Sequence, residues 1–429
     1  MNKENKNNSI YGLPEEIKFC KSCIMSNQRP SSVIEFKNKG ESKKGINIDK
    51  DLICDACKYH QIKKKINWQE RENQLFEFLK KFRKNNGEYD CIVPSSGGKD
   101  SSFAAHTLKY KYGMNPLAVT WAPSMWTDIG LQNFNNLSRV GGIDSYLCTP
   151  NGNLHSFLTK EAFLNLGHPF NPFIHGQKVV GPKIASQLNI KLVVYGENQA
   201  EYGNDIKENH SFNMNSDFFS IEDNTNIEDI NIAGSPIKEL IKKSKFKIDD
   251  FASYIPLKKS LLKKKDISMI YLGFYEKWDP QECFYYAVEN TGFKARPFRT
   301  QGTYSKYNSI DDKIDDFHYY TTYIKFGIGR ATYDAAQEIR NEEITREEGI
   351  ALVRKYDGEF PDRFADEIFQ YLSVPEREYP VASHQFEQAI MDRDYFDGLA
   401  DSFRSPHLWR REGKNWHLRQ TVWHDVNCA

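Results

Sequence analysis

The stretch PSSGGKDSS, residues 94–102, decides the fold because it joins an apolar segment to an amphipathic one. Residues 89–93 have the pattern of a buried strand, and residues 100–111 have that of a helix. Adjacent glycines let the main chain approach an anion closely, and the amides at a helix start point toward it. Lys99 adds a positive charge, while Asp100 either holds magnesium against phosphate oxygens or caps the helix. We therefore predict a phosphate-binding loop.

The serines of this loop and the spacing of its glycines and lysine indicate which class of phosphate-binding loop it belongs to. Ser96, Ser101 and Ser102 offer hydroxyl donors to the same anion. The loop has neither the spacing of a Walker loop nor that of the dinucleotide-binding fingerprint. A turn that binds no ligand is the alternative interpretation.

From Tyr89 onward, short apolar segments alternate with amphipathic ones. This alternation predicts an α/β fold with a parallel sheet covered on both faces. Gly196, Glu197 and Asn198 follow the fourth predicted strand, where such sheets bind ligands, although ordinary loop polarity would also explain them. The predicted strands are 89–93, 116–121, 143–148 and 190–195, and the predicted helices are 72–84, 100–111, 128–140, 156–166 and 176–187.

Two C-x-x-C pairs precede this domain. Cys20, Cys23, Cys54 and Cys57 present four soft thiolates, the ligand set of a tetrahedral structural zinc site. Two redox pairs or an iron–sulfur centre are the alternatives. A closed four-sulfur site leaves no open position for a substrate, so we expect a structural role.

The composition excludes several functional classes. The 429 residues include 58 Lys+Arg and 58 Asp+Glu, and this neutral balance argues against binding of long nucleic acid. No apolar run is long enough to span a membrane, so no membrane insertion is expected. The N-terminal residues lack the apolar core of a signal peptide, so we expect a cytoplasmic protein.

Taken together, these motifs resemble those of a known protein family. SGGKDS, residues 96–101, matches the SGGxDS loop of the PP-loop ATP pyrophosphatases. CKSC, CDAC, YGENQAEYG and the block from GTYSKYNS at residues 302–309 through 310–340 resemble the N-acetyl sugar amidotransferases of bacterial surface-glycan synthesis. That late block is long and specific, and the resemblance depends most on it.

The resemblance implies an ATP-dependent ligase that uses Mg²⁺ and carries structural Zn²⁺. The acetamido oxygen of a nucleotide-activated N-acetyl sugar or a nonulosonic acid would be adenylated. Ammonia would then replace it to give an acetamidino sugar, AMP and pyrophosphate, for lipopolysaccharide, capsule or flagellin glycans. A separate glutaminase, often with a cyclase-like subunit, would supply the ammonia. Cys91, Cys148, Cys283 and Cys428 lie in no recognisable glutaminase context.

The resemblance also suggests roles for individual residues. Lys99, Asp100 and Arg330 are the predicted catalytic residues, with Arg330 on a phosphate or a sugar carboxylate. Thr120 and Trp121 end the second strand, where the superfamily usually cradles adenine with backbone groups, although Trp121 could equally be core. The weaker candidates for substrate contact are Lys306, Asp311, Asp312, His318, Tyr319 and Tyr320. A lone histidine among aromatics is more often a packed, hydrogen-bonded residue.

The sequence patterns and the resemblance together divide the chain into six predicted parts. They are a flexible N-terminus (1–18), a zinc ribbon (19–68), the PP-loop ATP-binding α/β domain (69–203), a polar insertion or lid (204–265), a mainly helical substrate-binding region that completes the catalytic domain (266–403), and a basic-aromatic tail (404–429). The tail is expected to pack on the body or on a neighbouring subunit.

Two other functions compete with this interpretation. Enzymes that thiolate tRNA also combine a pyrophosphate loop with paired cysteines, but the neutral charge and the GTYSKYNS block argue against them. A binding module on an inactive nucleotide fold is disfavoured by the complete SGGKDS loop.

Overall fold

The computed structural model describes residues 9–30, 45–197, 199–202, 211–373 and 391–424. Five strands form its central sheet: β1 (Cys91–Pro94), β2 (Pro116–Trp121), β3 (Asp144–Cys148), β4 (Leu192–Tyr195) and β9 (Ser268–Tyr271). They are arranged in the order β3-β2-β1-β4-β9, and all neighbouring pairs are parallel. The α/β fold class predicted from the sequence is thus confirmed.

The strand order reverses at β1. The chain adds β2 and β3 on one side of β1 and then crosses to add β4 and β9 on the other. The loops that follow β1 and β4 therefore leave the same edge of the sheet side by side. Open parallel sheets bind ligands at this kind of reversal.

Alternate residues of the central strands face two separate apolar cores. Ile92 and Val193 lie in one core, while Cys91 and Val93 lie in the other, and all four are fully buried. Because helices cover both faces, the strands read as continuous apolar runs in the sequence. The covering helices are α2 (Trp68–Leu79) and α3 (Lys99–Tyr110) on one face, and α5 (Gly152–Leu166) and α6 (Asn171–Gln187) on the other.

The first strands and helices follow the predicted pattern closely. β2 has the predicted bounds, and α4 (Asp128–Arg139) ends one residue before its predicted end. β9 was not predicted as a strand and lies inside the segment 266–403 that was expected to be mainly helical. It completes the sheet as the outer neighbour of β4.

Residues 211–265, predicted as part of a polar insertion or lid, contribute to the apolar core. Ile232, Ile237, Leu240 and Phe251 are buried in the core that also holds α5 and α6. This segment therefore packs on the domain along its described length. Its elements are β5 (Ser220–Ile221), β6 (Asn231–Ile232), β7 (Ser235–Pro236), α7 (Ile237–Lys242), β8 (Leu257–Lys258) and α8 (Lys259–Lys264).

The remainder of the chain is mainly helical, as predicted. Its helices are α9 (Pro280–Thr291), α10 (Asp315–Phe326), α11 (Arg330–Arg340), α12 (Arg346–Tyr356), α13 (Ala365–Leu372) and α14 (Arg393–Ser402). A hairpin follows, formed by β10 (Trp409–Glu412) and β11 (Asn415–Leu418). Trp409 is buried and donates its indole N–H to the Ile324 carbonyl over 2.7 Å, so the tail packs on the body. Within the described residues, no helix has the length and apolarity to cross a bilayer.

The described N-terminal residues pack against the C-terminal part of the chain. Leu13 is buried, and the Tyr11 hydroxyl donates to the Phe403 carbonyl over 2.7 Å. Tyr11 and Leu13 thus pack on the body, while residues 1–8 of the segment predicted to be flexible lie outside the described residues. The Gln28 side-chain oxygen also lies 2.9 Å from His407 Nε2.

The unit that carries the four cysteines includes α1 (Asp55–Lys63) and does not form a core of its own. Its buried residues share one apolar cluster with Ala331, Ala335, Ile350 and Val353 of α11 and α12. Such a small unit has too little apolar surface to fold alone. It is therefore built into the C-terminal helices.

Candidate functional site

The glycine loop turns the chain sharply from β1 into α3. Gly97 has a φ of +85°, which favours glycine, and a Cβ there would lie 2.6 Å from the main chain of Phe134. Ser95 Oγ accepts the Gly97 N–H at 3.1 Å and lies 2.9 Å from Ser101 Oγ. The Ser101 hydroxyl also donates to the Gly98 carbonyl at 3.1 Å. Ser101 therefore holds the shape of the loop.

Lys99 and Asp100 form the charged end of the loop. Lys99 is only 5% exposed, and its Nζ lies 2.7 Å from Asp100 Oδ2. Asp100 Oδ1 is buried and has no hydrogen-bond partner among the described residues. An unpartnered carboxylate oxygen beside a phosphate-type loop fits a magnesium ligand.

The loop after β4 brings a second carboxylate to this edge of the sheet. A Cβ at Gly196 would lie 2.7 Å from the Trp278 ring, so the chain passes close to its neighbours here. The pKa of Glu197 is raised to about 7, first by burial and then by the nearby Asp100 carboxylate, while Lys99 acts in the opposite direction. Asp100 and Glu197 could together hold Mg²⁺.

A cavity of about 460 Å³ opens between this loop and the C-terminal helices. The glycine loop forms one wall, and residues of α6, α10, α11 and the segment 307–311 form the others. The predicted site residues that line the cavity are Ser96, Gly97, Gly98, Lys99, Asp100, Glu197, Asp311, His318, Tyr319 and Arg330. The structure thus gathers residues from distant parts of the chain around one space.

Arg330 begins α11 and is held firmly at the cavity. Its Nε lies 2.8 Å from Asp334 Oδ1, and its Nη1 donates to Ser309 Oγ at 2.9 Å and to the Tyr319 hydroxyl. Gly329 precedes it and donates its N–H to Asp357 at 3.0 Å. A planar guanidinium fixed in this way presents a constant orientation to an anion.

His318 both lines the cavity and packs among rings. It stacks on His168 with centroids 4.4 Å apart and on Phe170 at 5.5 Å. The pKa of His318 is lowered to about 3, first by burial and then by the nearby Arg330 and Lys325 charges. The imidazole is therefore neutral near pH 7, and its Nδ1 is buried without a hydrogen-bond partner among the described residues.

Several predicted contacts lie away from the cavity lining. Thr120 donates its hydroxyl to the Ser95 carbonyl, and Trp121 is buried against α6, where a Cβ at Gly176 would lie 2.1 Å from its ring. Their side chains therefore support the core. The other predicted residues outside the lining are Ser101, Ser102, Gly196, Lys306, Asp312 and Tyr320, and Asn198 lies outside the described residues.

Asp312 has a structural position. Its carboxylate accepts the N–H groups of Ser124 at 2.5 Å, Met125 at 3.2 Å and Ile314 at 3.0 Å. Burial raises its pKa to about 7. These contacts tie the start of α10 to the chain after β2, and none is directed to a ligand.

Other cavity residues were not predicted from the sequence. Tyr307, Ser309, Asp315 and Asp334 lie on or beside the block that carries Arg330, so its quoted motif contained the signal. Arg29 also lines the cavity, and its place within the cysteine-bearing unit gave no indication of this.

The four predicted metal ligands meet in one cluster. All their sulfurs lie within 4.8 Å of one another and are buried, with Cys23–Cys54 at 3.7 Å and Cys20–Cys57 at 3.8 Å. Thiolates about 2.3 Å from a tetrahedral zinc lie roughly 3.8 Å apart. The donor set and its spacing therefore fit a closed structural zinc site.

Fold and site together define an α/β protein with a phosphate-type loop, a four-cysteine cluster and a helical C-terminal wall. Residues 301–422 match the family model described as "LPS biosynthesis protein WbpG-like, C-terminal domain". This matched segment supplies Tyr319, Arg330 and Asp334 to the cavity. The likeness to that family therefore concerns one wall of the site.

Two further comparisons are more distant. An uncharacterized protein of Methanocaldococcus jannaschii, MJ1599, is 32% identical over 104 residues, or 24% of this chain. The chain spans 37% of the length of that curated relative. The NMN synthetase of Francisella tularensis is 14% identical, with a TM-score of 0.30 over 72% of this chain and 98% of that one. That likeness is too low to support an argument about activity.

Proposed function

We propose that this chain is an ATP-dependent amidotransferase of surface-glycan synthesis. It converts the acetamido group of a nucleotide-activated N-acetyl sugar or a nonulosonic acid into an acetamidino group. One observation carries the proposal: Lys99 and Asp100 of the glycine loop line the same cavity as Arg330, which lies in the segment similar to an LPS biosynthesis domain.

The loop is suited to hold the β and γ phosphates of ATP. Its main-chain amides, the start of α3 and Lys99 offer positive potential, and Asp100 and Glu197 would hold Mg²⁺. The ion would neutralise charge that develops on the phosphates as they leave. This arrangement leaves the α-phosphate to face the rest of the cavity.

The reaction proceeds in two steps that balance. The acetamido oxygen attacks the α-phosphorus, the bond between α-phosphorus and bridging oxygen breaks, pyrophosphate leaves and the amide nitrogen loses its proton. Ammonia then adds to the imidate carbon, and AMP departs with the former acetamido oxygen. Arg330 orients an anionic group of the reactants, and the cavity walls keep both in near-contact geometry.

We propose that ammonia comes from a separate glutaminase, with or without a cyclase-like subunit. Burial raises the pKa of Cys91 and of Cys283, whereas a thiol nucleophile needs a lowered pKa. Among the described residues, no cysteine lines the cavity. A tRNA-thiolating enzyme would need reactive cysteines there, so nothing described favours that function. Because the reaction draws on ATP, the proposed location remains the cytoplasm.

The test is turnover with ammonium as the nitrogen source. The purified chain is incubated with ATP, Mg²⁺ and candidate UDP- or CMP-activated acetamido sugars, and mass spectrometry follows the exchange of oxygen for NH. We expect one AMP for each amidine formed. Lys99→Ala and Asp100→Ala should abolish the product, whereas Lys80→Ala, which changes an exposed lysine directly after α2, should retain it. Formation of ADP, or full activity of the loop variants, would contradict the proposal.

A further inference from the structure

Arg29 reaches the cavity from the cysteine-bearing unit. It follows the first C-x-x-C knuckle closely in sequence, and its side chain is only 6% exposed. The main chain is fixed on both sides, because Arg29 N–H donates to the Ser26 carbonyl at 3.2 Å and Ile46 N–H donates to the Arg29 carbonyl at 2.8 Å. The main chain of Arg29 is therefore held in a fixed position at the cavity wall.

The Arg29 guanidinium has no anionic partner among the described residues. Its Nε is buried without a hydrogen bond there, and no carboxylate of that part of the chain lies within 4.0 Å. Lys99 and Arg330, by contrast, each pair with a carboxylate, at 2.7 and 2.8 Å. Because a buried charge without a partner is costly, this position fits an anion brought by a ligand.

Two aromatic rings hold the guanidinium in place. Its carbon lies 5.6 Å from the centre of the Tyr202 ring and 5.3 Å from that of the Tyr333 ring. A planar guanidinium held over rings keeps its N–H groups free to bind a carboxylate or phosphate in a bidentate manner. Tyr333 lies on α11, three residues after Arg330, and this spacing places both on one side of that helix.

The position beside α11 indicates which reactant supplies the anion. In the proposed function, the loop amides, Lys99 and the start of α3 already bind the phosphates of ATP. We propose that Arg29 binds the anionic group of the acceptor, either a sugar carboxylate or the diphosphate of a nucleotide carrier. This inference rests on the proposed function. It gives the cysteine-bearing unit a direct part in acceptor binding.

The experiment measures binding by calorimetry on the full chain. The probes are α,β-methylene-ATP, UDP-N-acetylglucosamine with a diphosphate, and N-acetylneuraminic acid with a carboxylate. Arg29→Ala should weaken at least one sugar probe about tenfold or more and leave α,β-methylene-ATP unchanged. Arg29→Lys, which keeps the charge, should lose less. The sugar probe that is weakened identifies the anion.

A matched control is Lys21→Ala, which removes an exposed cation from the same knuckle and should bind every probe normally. Metal content and thermal unfolding of Arg29→Ala should equal those of the wild type. Normal sugar binding by Arg29→Ala, or an equal loss of α,β-methylene-ATP, would overturn the role of Arg29 alone. Wild-type protein that binds the ATP analogue but neither sugar probe would overturn the proposed acceptor class as well.

Discussion

The α-carbon of Gly97 lies against the main chain of Phe134, at a distance that leaves no room for a side chain. Phe134 belongs to α4, so the loop after β1 is fitted against the helix that follows β2. Gly98, the next residue, has an ordinary extended conformation, and a Cβ there would meet only Ser96 Oγ at 3.5 Å. Glycine is therefore required at position 97 by the backbone conformation and the close contact with α4, whereas position 98 has neither constraint.

Gly97→Ala should cost about 1–3 kcal/mol of unfolding free energy, because it combines a strained φ with a main-chain clash. Gly98→Ala should change stability by no more than about 1 kcal/mol. Denaturant unfolding of both variants provides the comparison. Equal stability of the two would show that the Gly97 contact with α4 does not constrain the fold.

The raised pKa of Glu197 predicts a pH dependence of metal-assisted nucleotide binding. With a pKa of about 7, Glu197 is largely protonated at pH 6 and ionised at pH 8, so Mg²⁺-dependent binding of α,β-methylene-ATP should strengthen across this range. The unfolding free energy that the protonated Glu197 carboxyl contributes should instead decrease as the pH rises. It is fully present below the ordinary pKa of a glutamate and is lost as the pH rises through about 7.

Glu197→Gln should flatten both profiles, since the amide does not titrate. The measurements are calorimetric binding and thermal unfolding of the ligand-free protein at pH 6 and pH 8. A wild-type binding curve that is flat over this interval would rule out Glu197 as the titrating metal ligand.

The cysteine cluster should hold one zinc ion per chain. Cys23→Ser should remove the metal and lower stability by about 4 kcal/mol or more, because the cluster packs into α11 and α12. Cys148→Ser, at the end of β3, should keep the metal. Elemental analysis is the direct measurement, and iron in place of zinc would contradict the assignment.

A buried ion pair ties the cysteine-bearing unit to the loop after β4. Lys63 Nζ lies 2.7 Å from Glu201 Oε1, and both side chains are 4% exposed. Lys63→Ala should cost about 3–5 kcal/mol, since it leaves the Glu201 carboxylate buried without its partner. Lys64→Ala breaks only an exposed contact with Glu342 and should cost under about 1 kcal/mol.

Denaturant unfolding of the single variants Lys63→Met and Glu201→Leu and of their combination measures the coupling. The double variant should recover part of the loss, because no unpaired charge remains. Additive losses would mean that the two side chains do not stabilise one another.

Much of the sheet could be predicted because its strands are buried on both faces and bounded by helical patterns. β2 was predicted with its observed bounds. β9 was missed because a long polar segment, and not a single helix, separates it from β4. The order β1-β4-β9 depends on packing, which the pattern of one strand does not contain.

Residues of the candidate site could be predicted only where they belong to a recognisable local sequence motif. The glycine loop and the Arg330 block lie where ligand-binding residues were expected. Thr120 and Trp121 were assigned to adenine binding through backbone groups, and this stays a prediction, whereas their side chains support the core. Arg29 could not be found from the sequence, because it joins the cavity only when the cysteine-bearing unit packs on α11.

The contact between Gln28 and His407 has a consequence for biosynthesis. His407 is synthesised 379 residues after Gln28, so Gln28 leaves the ribosome well before its partner. The cysteine-bearing unit therefore lacks its packing surface until α11 and α12 have been translated. Synthesis order and assembly order differ, so a nascent chain halted before α11 would lack a finished pocket and expose the apolar side of its metal-binding segment to chaperones.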